Sequence, residues 1–553
     1  MGTVPEWCAP LPDAEAMRAV DRWAIDEMGV PSLELMERAG IGVARAVEQL
    51  APDGPVTVLC GKGNNGGDGL VAARLLRDAG REVDILTAGP PEQLKGDARE
   101  NLLRLPGAPP VQMDFSSAGS SASVGAHASA GSSVSMGDAG AGASSASEGP
   151  SVAGGGGLLR RSAVVIDALL GTGFAGEPRG AIAEAIDAAN ACDAPVVSVD
   201  VPSGVDASTG VVCARAVRAA ITVTFHAAKP GLWIHPGKAH AGEVRTLDIG
   251  IPRGAPAAAD IGLIGSAVLN LLPHRAPSST KFSSGHVLVA GGSRGLTGAP
   301  RMAAHAAMRS GAGYVTACVP ASVQTILATG GLPELMTRGL PDEDGSLTGA
   351  GVNGVLEAAQ RGGALALGPG LGRGPGAFAF ALELARRAPV PTVIDADGLN
   401  AHAGRLSDLA AREAPTVLTP HAGELGRLLE LSSEEIERER LRHVRAAAEL
   451  AQAVVVLKGD DTLVVDPAGS GVVAVSMGGS PALATAGTGD VLTGVIAALL
   501  AQGLPAFAAA AAGVQLHAAA GRAAALTVGS ADSVIASDVI AALPSARAGV
   551  GRP

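Results

Sequence analysis

Late in the chain, Thr485-Ala486-Gly487-Thr488-Gly489-Asp490 runs directly into an apolar stretch, 491–500, that reads as a buried helix. Glycine permits the positive-φ geometry that lets successive backbone N–H groups converge, and a helix start adds the positive end of its dipole. A phosphate is the natural guest at such a turn. Asp490, beside that anion hole, is placed to accept the proton of a hydroxyl about to meet a phosphoryl group. The bland alternative is a glycine-rich turn with Asp490 capping a core helix. The rest of the chain decides between them.

A second set of candidate residues stands in the first half. Gly61-Lys62-Gly63-Asn64-Asn65-Gly66-Gly67-Asp68-Gly69 follows the β-branched run 56–60 and precedes a helical stretch, 70–79. Strand, glycine-rich loop and helix form the layout of a nucleotide-contacting turn. Two asparagines in its middle depart from the dinucleotide fingerprint, and their carbonyl oxygens suit a monovalent cation or a ligand's hydroxyls. Farther on, strands over 163–167 and 195–200 end in Asp167 and Asp200. They lead into Gly171-Thr172-Gly173-Phe174-Ala175-Gly176-Glu177 and into the loop 201–206, which carries Ser203. Ligands of open parallel sheets sit beyond the carboxyl ends of the strands, so Asp167 and Asp200 should face the crevice of the asparagine loop. One aspartate at a strand end is more often a helix cap. Two of them beside that loop favour a site.

These groups need scaffolds, and the periodicity supplies them. Amphipathic helices are predicted within 14–51, a strand over 81–88, and helices over 96–105 and 182–191. From 116 to 157 serine, glycine and alanine dominate, which predicts a disordered insertion inside the first domain. Residues 251–277 read as a connector with one helix. From His286 a second series of short apolar strands opens, each followed by a polar or glycine-bearing loop: 291–300, 368–372, 395–400, 419–424 and 458–462. The fold class expected is α/β in two domains. Residues 1–250 form a Rossmann-like three-layer α/β/α sandwich, and residues 278–553 a second α/β/α domain.

Composition sets the outer limits. The chain has 553 residues and a formal net charge of −12, which argues against nucleic acid or an anionic membrane as a general partner. Few aromatics and 77 glycines imply cores packed from small side chains. Five scattered cysteines without a CxxC pair speak for a reducing compartment rather than disulfides or zinc. No secretory signal is evident. The apolar region 491–520 is interrupted by glycine, proline and His517, so a buried helix pair is expected instead of a membrane span. The expectation is a soluble cytoplasmic protein.

The motifs GKGNNGGDGL, DALLGTGFAGE and VDVPSGVDASTG resemble the NAD(P)H-hydrate epimerase family over about 14–250. The resemblance implies substrate contacts at Asn64, Asn65, Gly66, Gly67, Asp68, the loop Gly171 to Glu177, and Asp200. It also implies potassium on Asn65, Asp167 and Ser203, with Asp200 as candidate acid or base. The substrate would carry a hydroxyl on a ring carbon next to nitrogen. The insertion at 116–157 departs from the family pattern, and Lys229 reads as structural or supporting.

GGSRGLTGAP, GPGLG, DADGLN, TPHAGEL, LKGDDTLV and GTGD, spread over about 278–543, resemble the ribokinase-like ADP/ATP-dependent NAD(P)H-hydrate dehydratases. By that resemblance the hydrate meets Ala299, Gly370 or Gly372, His421 and Asp490. The nucleotide lies against Lys458, Gly459, Asp460, Asp461, Thr462 and Gly489, with magnesium aided by Glu424 through water. Together the two resemblances imply a fused coenzyme-repair enzyme: one domain interconverts the R and S hydrates, and the other dehydrates the S form using ADP or ATP. Its partners are small molecules and a second copy of itself, since alanine- and glycine-rich helices pack well between subunits. The alternative is a ribokinase-like small-molecule kinase fused to a non-catalytic nucleotide-binding module.

Overall fold

The computed structural model of the protein describes residues 3–114, 155–256, 258–330, 332–467 and 471–548. In the first half the β-branched runs line up as seven parallel strands. Their order is Val111–Gln112, Val83–Thr87, Val56–Cys60, Val164–Ala168, Val196–Val199, Ile221–Phe225 and Glu243–Leu247. The central strands are buried on both faces, as apolar runs without alternation require. Helices Ser32–Leu50 and Asn64–Asp78 cover one face and Ala181–Ala191 the other, giving three layers. Chain order reverses between Val56–Cys60 and Val164–Ala168, which opens a crevice at their carboxyl ends.

The helix beyond that crevice begins at Asn64, six residues ahead of the expected start at 70, so Asn64, Asn65 and Asp68 ride on helical turns rather than a loop. Its glycines serve close packing. A Cβ on Gly66 would stand 2.2 Å from the Gly61 carbonyl oxygen, and one on Gly69 would stand 2.6 Å from the Ala168 Cβ. The disorder expected over 116–157 falls outside the described residues as far as 154. Residues 155–157 belong to the helix Gly155–Arg161.

The second sheet has eleven strands. Seven are parallel, in the order Val454–Leu457, Thr416–Leu418, Thr392–Ile394, Ala364–Leu367, His286–Ala290, Tyr314–Pro320 and Met336–Leu340. The remaining four lie beyond Val454–Leu457. Leu463–Val465 and Val473–Val475 form a hairpin, Ile261–Ile264 pairs parallel to it, and Cys8–Pro10 closes that side antiparallel. This departs from a division of the chain at 250. The connector supplies a sheet strand, Ile261–Ile264, ahead of its short 3-10 helix Ser266–Leu271, and the residues ahead of the first helix belong to the second sheet. Covering an open edge satisfies backbone groups that would otherwise invite foreign strands.

The two halves meet through apolar and polar contacts. Ala228 and Ile234 of the first half are buried in the core of the second. The Asp461 carboxylate, 1% exposed, accepts the His235 N–H (2.8 Å) and the Arg440 Nε–H (3.0 Å). Lys238 Nζ lies 2.6 Å from Asp460. Helices Thr488–Ala501 and Ala506–Val528 make the expected buried pair. Among the described residues no helix is long and apolar enough to cross a membrane, and all five cysteines are free thiols.

Candidate functional site

The first crevice is a cleft of about 820 Å³, lined by Asn64, Asn65, Asp68, Gly171 to Phe174, Asp200 and Lys229 among others. Gly66 and Gly67 are packed inside the helix, while Ala175, Gly176 and Glu177 continue an exposed loop away from it. Asp200 follows the strand Val196–Val199 in the left-handed region (φ 66°), an unusual conformation for a residue other than glycine. Its Oδ1 accepts from Lys229 Nζ (2.6 Å) and Thr224 Oγ1 (3.1 Å). The Lys229 ammonium spends its other protons on Thr224 Oγ1 (2.8 Å) and the Phe225 carbonyl (3.0 Å). Burial above all, and then the neighbouring Asp200 charge, holds the Asp68 carboxyl well above the usual carboxylate range.

Beneath the cleft floor, Asp167 and Ser203 form one cluster. Ser203 donates its hydroxyl (2.5 Å) and its N–H (2.9 Å) to Asp167, and Ser198 adds a third bond at 2.8 Å. Burial raises the Asp167 pKa against these hydrogen bonds, and no cationic side chain figures among its influences. Asn65 reaches the same place by donating to the Leu170 carbonyl (2.9 Å), which also lies 3.4 Å from the Ser203 hydroxyl. The sequence reading underrated Lys229 and overlooked Thr224 and Asp21. A lysine inside an otherwise apolar, glycine- and proline-bearing segment after a strand was the available signal for the first. Asp21 sits on an amphipathic helix and gave none.

The second site forms where loops after the parallel strands meet the start of Thr488–Ala501. Gly487 caps that helix in the left-handed region (φ 92°), where a Cβ would also strike Met302 at 2.6 Å. Thr488, Gly489 and Asp490 are thus its first residues, three ahead of the expected start. Lys458 Nζ donates to Asp395 Oδ1 (2.9 Å) and lies 3.6 Å from Glu424. Thr493 holds the other Asp395 oxygen at 2.7 Å. A Cβ on Gly489 would stand 3.5 Å from Lys458 Nζ, so the lysine lies over the helix start. Asp490 titrates at about 7, raised first by burial and then by Asp395.

His421 and Glu424 brace one another across a helix start. His421 Nδ1 accepts the N–H groups of Gly423 (3.0 Å) and Glu424 (3.4 Å), and Glu424 accepts the His421 N–H at 3.0 Å. An accepting Nδ1 assigns the proton to Nε2, which remains for a ligand. Ala299 and Gly370 adjoin: a Cβ on Gly370 would lie 3.2 Å from that of Ala299. Gly372 N–H donates to Asp397 (3.0 Å), which Arg373 and Asn400 also bind, so Asp397 fixes the turn. Asp460 and Asp461, expected against a nucleotide, direct their carboxylates to Lys238, His235 and Arg440 at the joint between the halves. Thr462 Oγ1 closes the loop on Gly459 (2.7 Å).

Two open α/β sheets, each gathering carboxylates, a lysine and a helix start at the carboxyl edge of its strands, define a two-site enzyme acting on nucleotide-like small molecules. A family model described as NAD(P)H-hydrate dehydratase matches residues 287–545, and one described as YjeF-related protein N-terminus matches residues 32–231. The bifunctional NAD(P)H-hydrate repair enzyme of Salinibacter ruber is 40% identical, covering 99% of this chain and 98% of its own. That of Moorella thermoacetica is 38% identical, covering 97% of this chain and 96% of its own. The crystal structure of ADP/ATP-dependent NAD(P)H-hydrate dehydratase from Bacillus subtilis, co-crystallized with ATP/Mg2+, is similar at 29% identity and a TM-score of 0.45, over 52% of this chain and 98% of its own. The chain belongs to the family of bifunctional NAD(P)H-hydrate repair enzymes.

Proposed function

We propose that the first cleft interconverts the R and S epimers of hydrated NADH or NADPH, and that the second site dehydrates the S epimer at the expense of ADP, releasing AMP and phosphate. The observation that carries this reading is Asp490 in the first turn of Thr488–Ala501, beside the Lys458–Asp395 pair. Asp490 takes the proton of the hydrate's hydroxyl as the oxygen attacks the terminal phosphoryl group. The helix-start amides and Lys458 stabilise charge on the transferring group. Phosphate then departs with the C–O electrons, a proton leaves the adjacent ring carbon, and the ring double bond re-forms. His421 Nε2–H and the Ala299–Gly370 surface support the hydrate's position.

Magnesium, when bound, neutralises nucleotide phosphate charge, and Glu424 is the carboxylate available to hold its water. The Asp167 cluster fits potassium: its candidate ligand atoms are oxygens, and its buried carboxylate makes no ion pair among the described residues. Asn65, Asp167 and Ser203 would hold that ion beneath the cleft and fix the asparagine helix start. Five free thiols fit a cytoplasmic setting. Exposed Phe282 and Leu526 offer apolar contacts to a second copy of the chain.

The test incubates pure protein with racemic NADH hydrate and ADP, or ATP, and follows recovery of reduced-nicotinamide absorbance. Complete recovery requires both activities, whereas recovery stopping at the S fraction would refute the epimerase. A persistent phosphorylated product would indicate a kinase instead.

A further inference from the structure

Asp68 and Asp200 line one cleft, and the protein treats them in opposite ways. Both donors to Asp200, Lys229 and Thr224, converge on Oδ1. Oδ2 accepts no hydrogen bond among the described residues and is left for a ligand. Lys229 is 1% exposed with all three ammonium protons engaged, so it fixes and neutralises Asp200 instead of exchanging protons itself. Asp68 is 9% exposed, and its carboxyl group makes neither a hydrogen bond nor an ion pair among the described residues. A buried carboxylate without donors, close to another negative charge, takes up a proton.

We propose that Asp200 and Asp68 work as a base and acid pair that opens and recloses the hydrate's ring, with Lys229 and Thr224 as positioning residues. The inference rests on the epimerase reading of this cleft. Asp200 Oδ2 accepts the hydroxyl proton, and the oxygen's electron pair forms a carbonyl. The bond from that carbon to the ring nitrogen breaks with its electrons going to nitrogen, and Asp68 delivers its proton there. The carbonyl carbon is planar, so rotation about the adjoining single bond presents its other face. Reclosure reverses both proton transfers and returns the enzyme to its starting state. The C–O bond stays intact throughout.

The surroundings agree with this assignment. Asp200 and Asp21 both raise the Asp68 pKa and Lys229 lowers it, with burial the largest influence. Lys62, Asp97, Arg18 and Arg179 complete the charged lining. Asp21 is a third carboxyl on the cleft wall whose pKa burial also raises. Asp68 is the more deeply enclosed of the two and is held well above the carboxylate range, so Asp68 is the better proton store.

The experiment uses the full chain and one purified hydrate epimer in 18O-labelled water without nucleotide, with products resolved by epimer and mass. The wild type should invert the epimer with its original hydroxyl oxygen retained. Asp68→Asn should lower kcat for inversion about 100-fold, with KM little changed. Its dehydration of the S hydrate should keep the wild-type rate, which reports an intact fold. Label entering at every inversion, or wild-type kcat in Asp68→Asn, would overturn the inference while leaving an epimerase. Should Asp68→Asn fail to fold, the label experiment on the wild type still decides. A wild type that does not invert either epimer would instead sink the epimerase reading itself.

Discussion

Burying charge near a substrate has two solutions in this molecule, and each gives its residue a different task. Asp200 is compensated by an ammonium so deeply enclosed that replacing it would strand a carboxylate. Lys229→Met should therefore cost about 3–5 kcal/mol of stability, read by denaturant unfolding, and should depress inversion while the surviving folded protein dehydrates normally. Asp490 is less fully compensated, and burial raises it to about 7. Only its ionised form accepts a proton, so dehydration should fall about tenfold per pH unit below that value and level off above it. A rate profile at saturating nucleotide measures this. Asp490→Asn should abolish dehydration yet raise the melting midpoint by about 2–4 °C, because a buried charge is exchanged for a neutral amide. Both aspartates were legible because each sits where a strand ends or a helix begins. Lys229 was not, because its partner lies 29 positions away and only folding joins them. The partners of Asp460 and Asp461 at the joint were not legible, because sequence does not say which side of a loop a carboxylate faces.

At the scale of elements, glycine marks the chemistry less through freedom of its backbone than through the absence of a side chain. Gly487 alone in the GTGD turn needs a positive φ. Gly494, one turn farther on, lets its helix press against Gly298–Arg309, since a Cβ there would stand 2.0 Å from the Ala303 carbonyl oxygen. Gly494→Ala should destabilise the protein by about 1–3 kcal/mol in urea unfolding. Gly63→Ala, at a helix start with open space around it, should leave stability within about 0.5 kcal/mol. The strands read from the sequence lie within a residue or two of those observed, since β-branched runs buried on both faces have one reading. Ile221–Phe225, Glu243–Leu247, Tyr314–Pro320 and Met336–Leu340 went unread. Helix starts were placed too late at 64 and 488 because glycines inside a helix look like a loop when the neighbours they admit are unknown.

For the molecule as a whole, the joint between halves is built like a core. Arg440 and Asp461 are both buried and answer each other as well as the first half's backbone. Asp461→Ala should cost about 3–5 kcal/mol and separate calorimetric unfolding into two transitions. Lys238→Ala, removing a partly exposed pair, should cost about 1 kcal/mol or less. The motifs that line the two clefts were each readable from the sequence, but their common framework was not, because no local pattern reveals that Cys8 lies beside Ile264. That pairing carries a consequence for biogenesis. Cys8–Pro10 must wait, unzipped, until the whole epimerase half has been translated and the hairpin beyond it has folded. Cutting the gene after codon 250 would therefore yield one fragment with an orphaned leader and another with a sticky margin, so fission of this enzyme into two independent proteins would first require moving that small piece across.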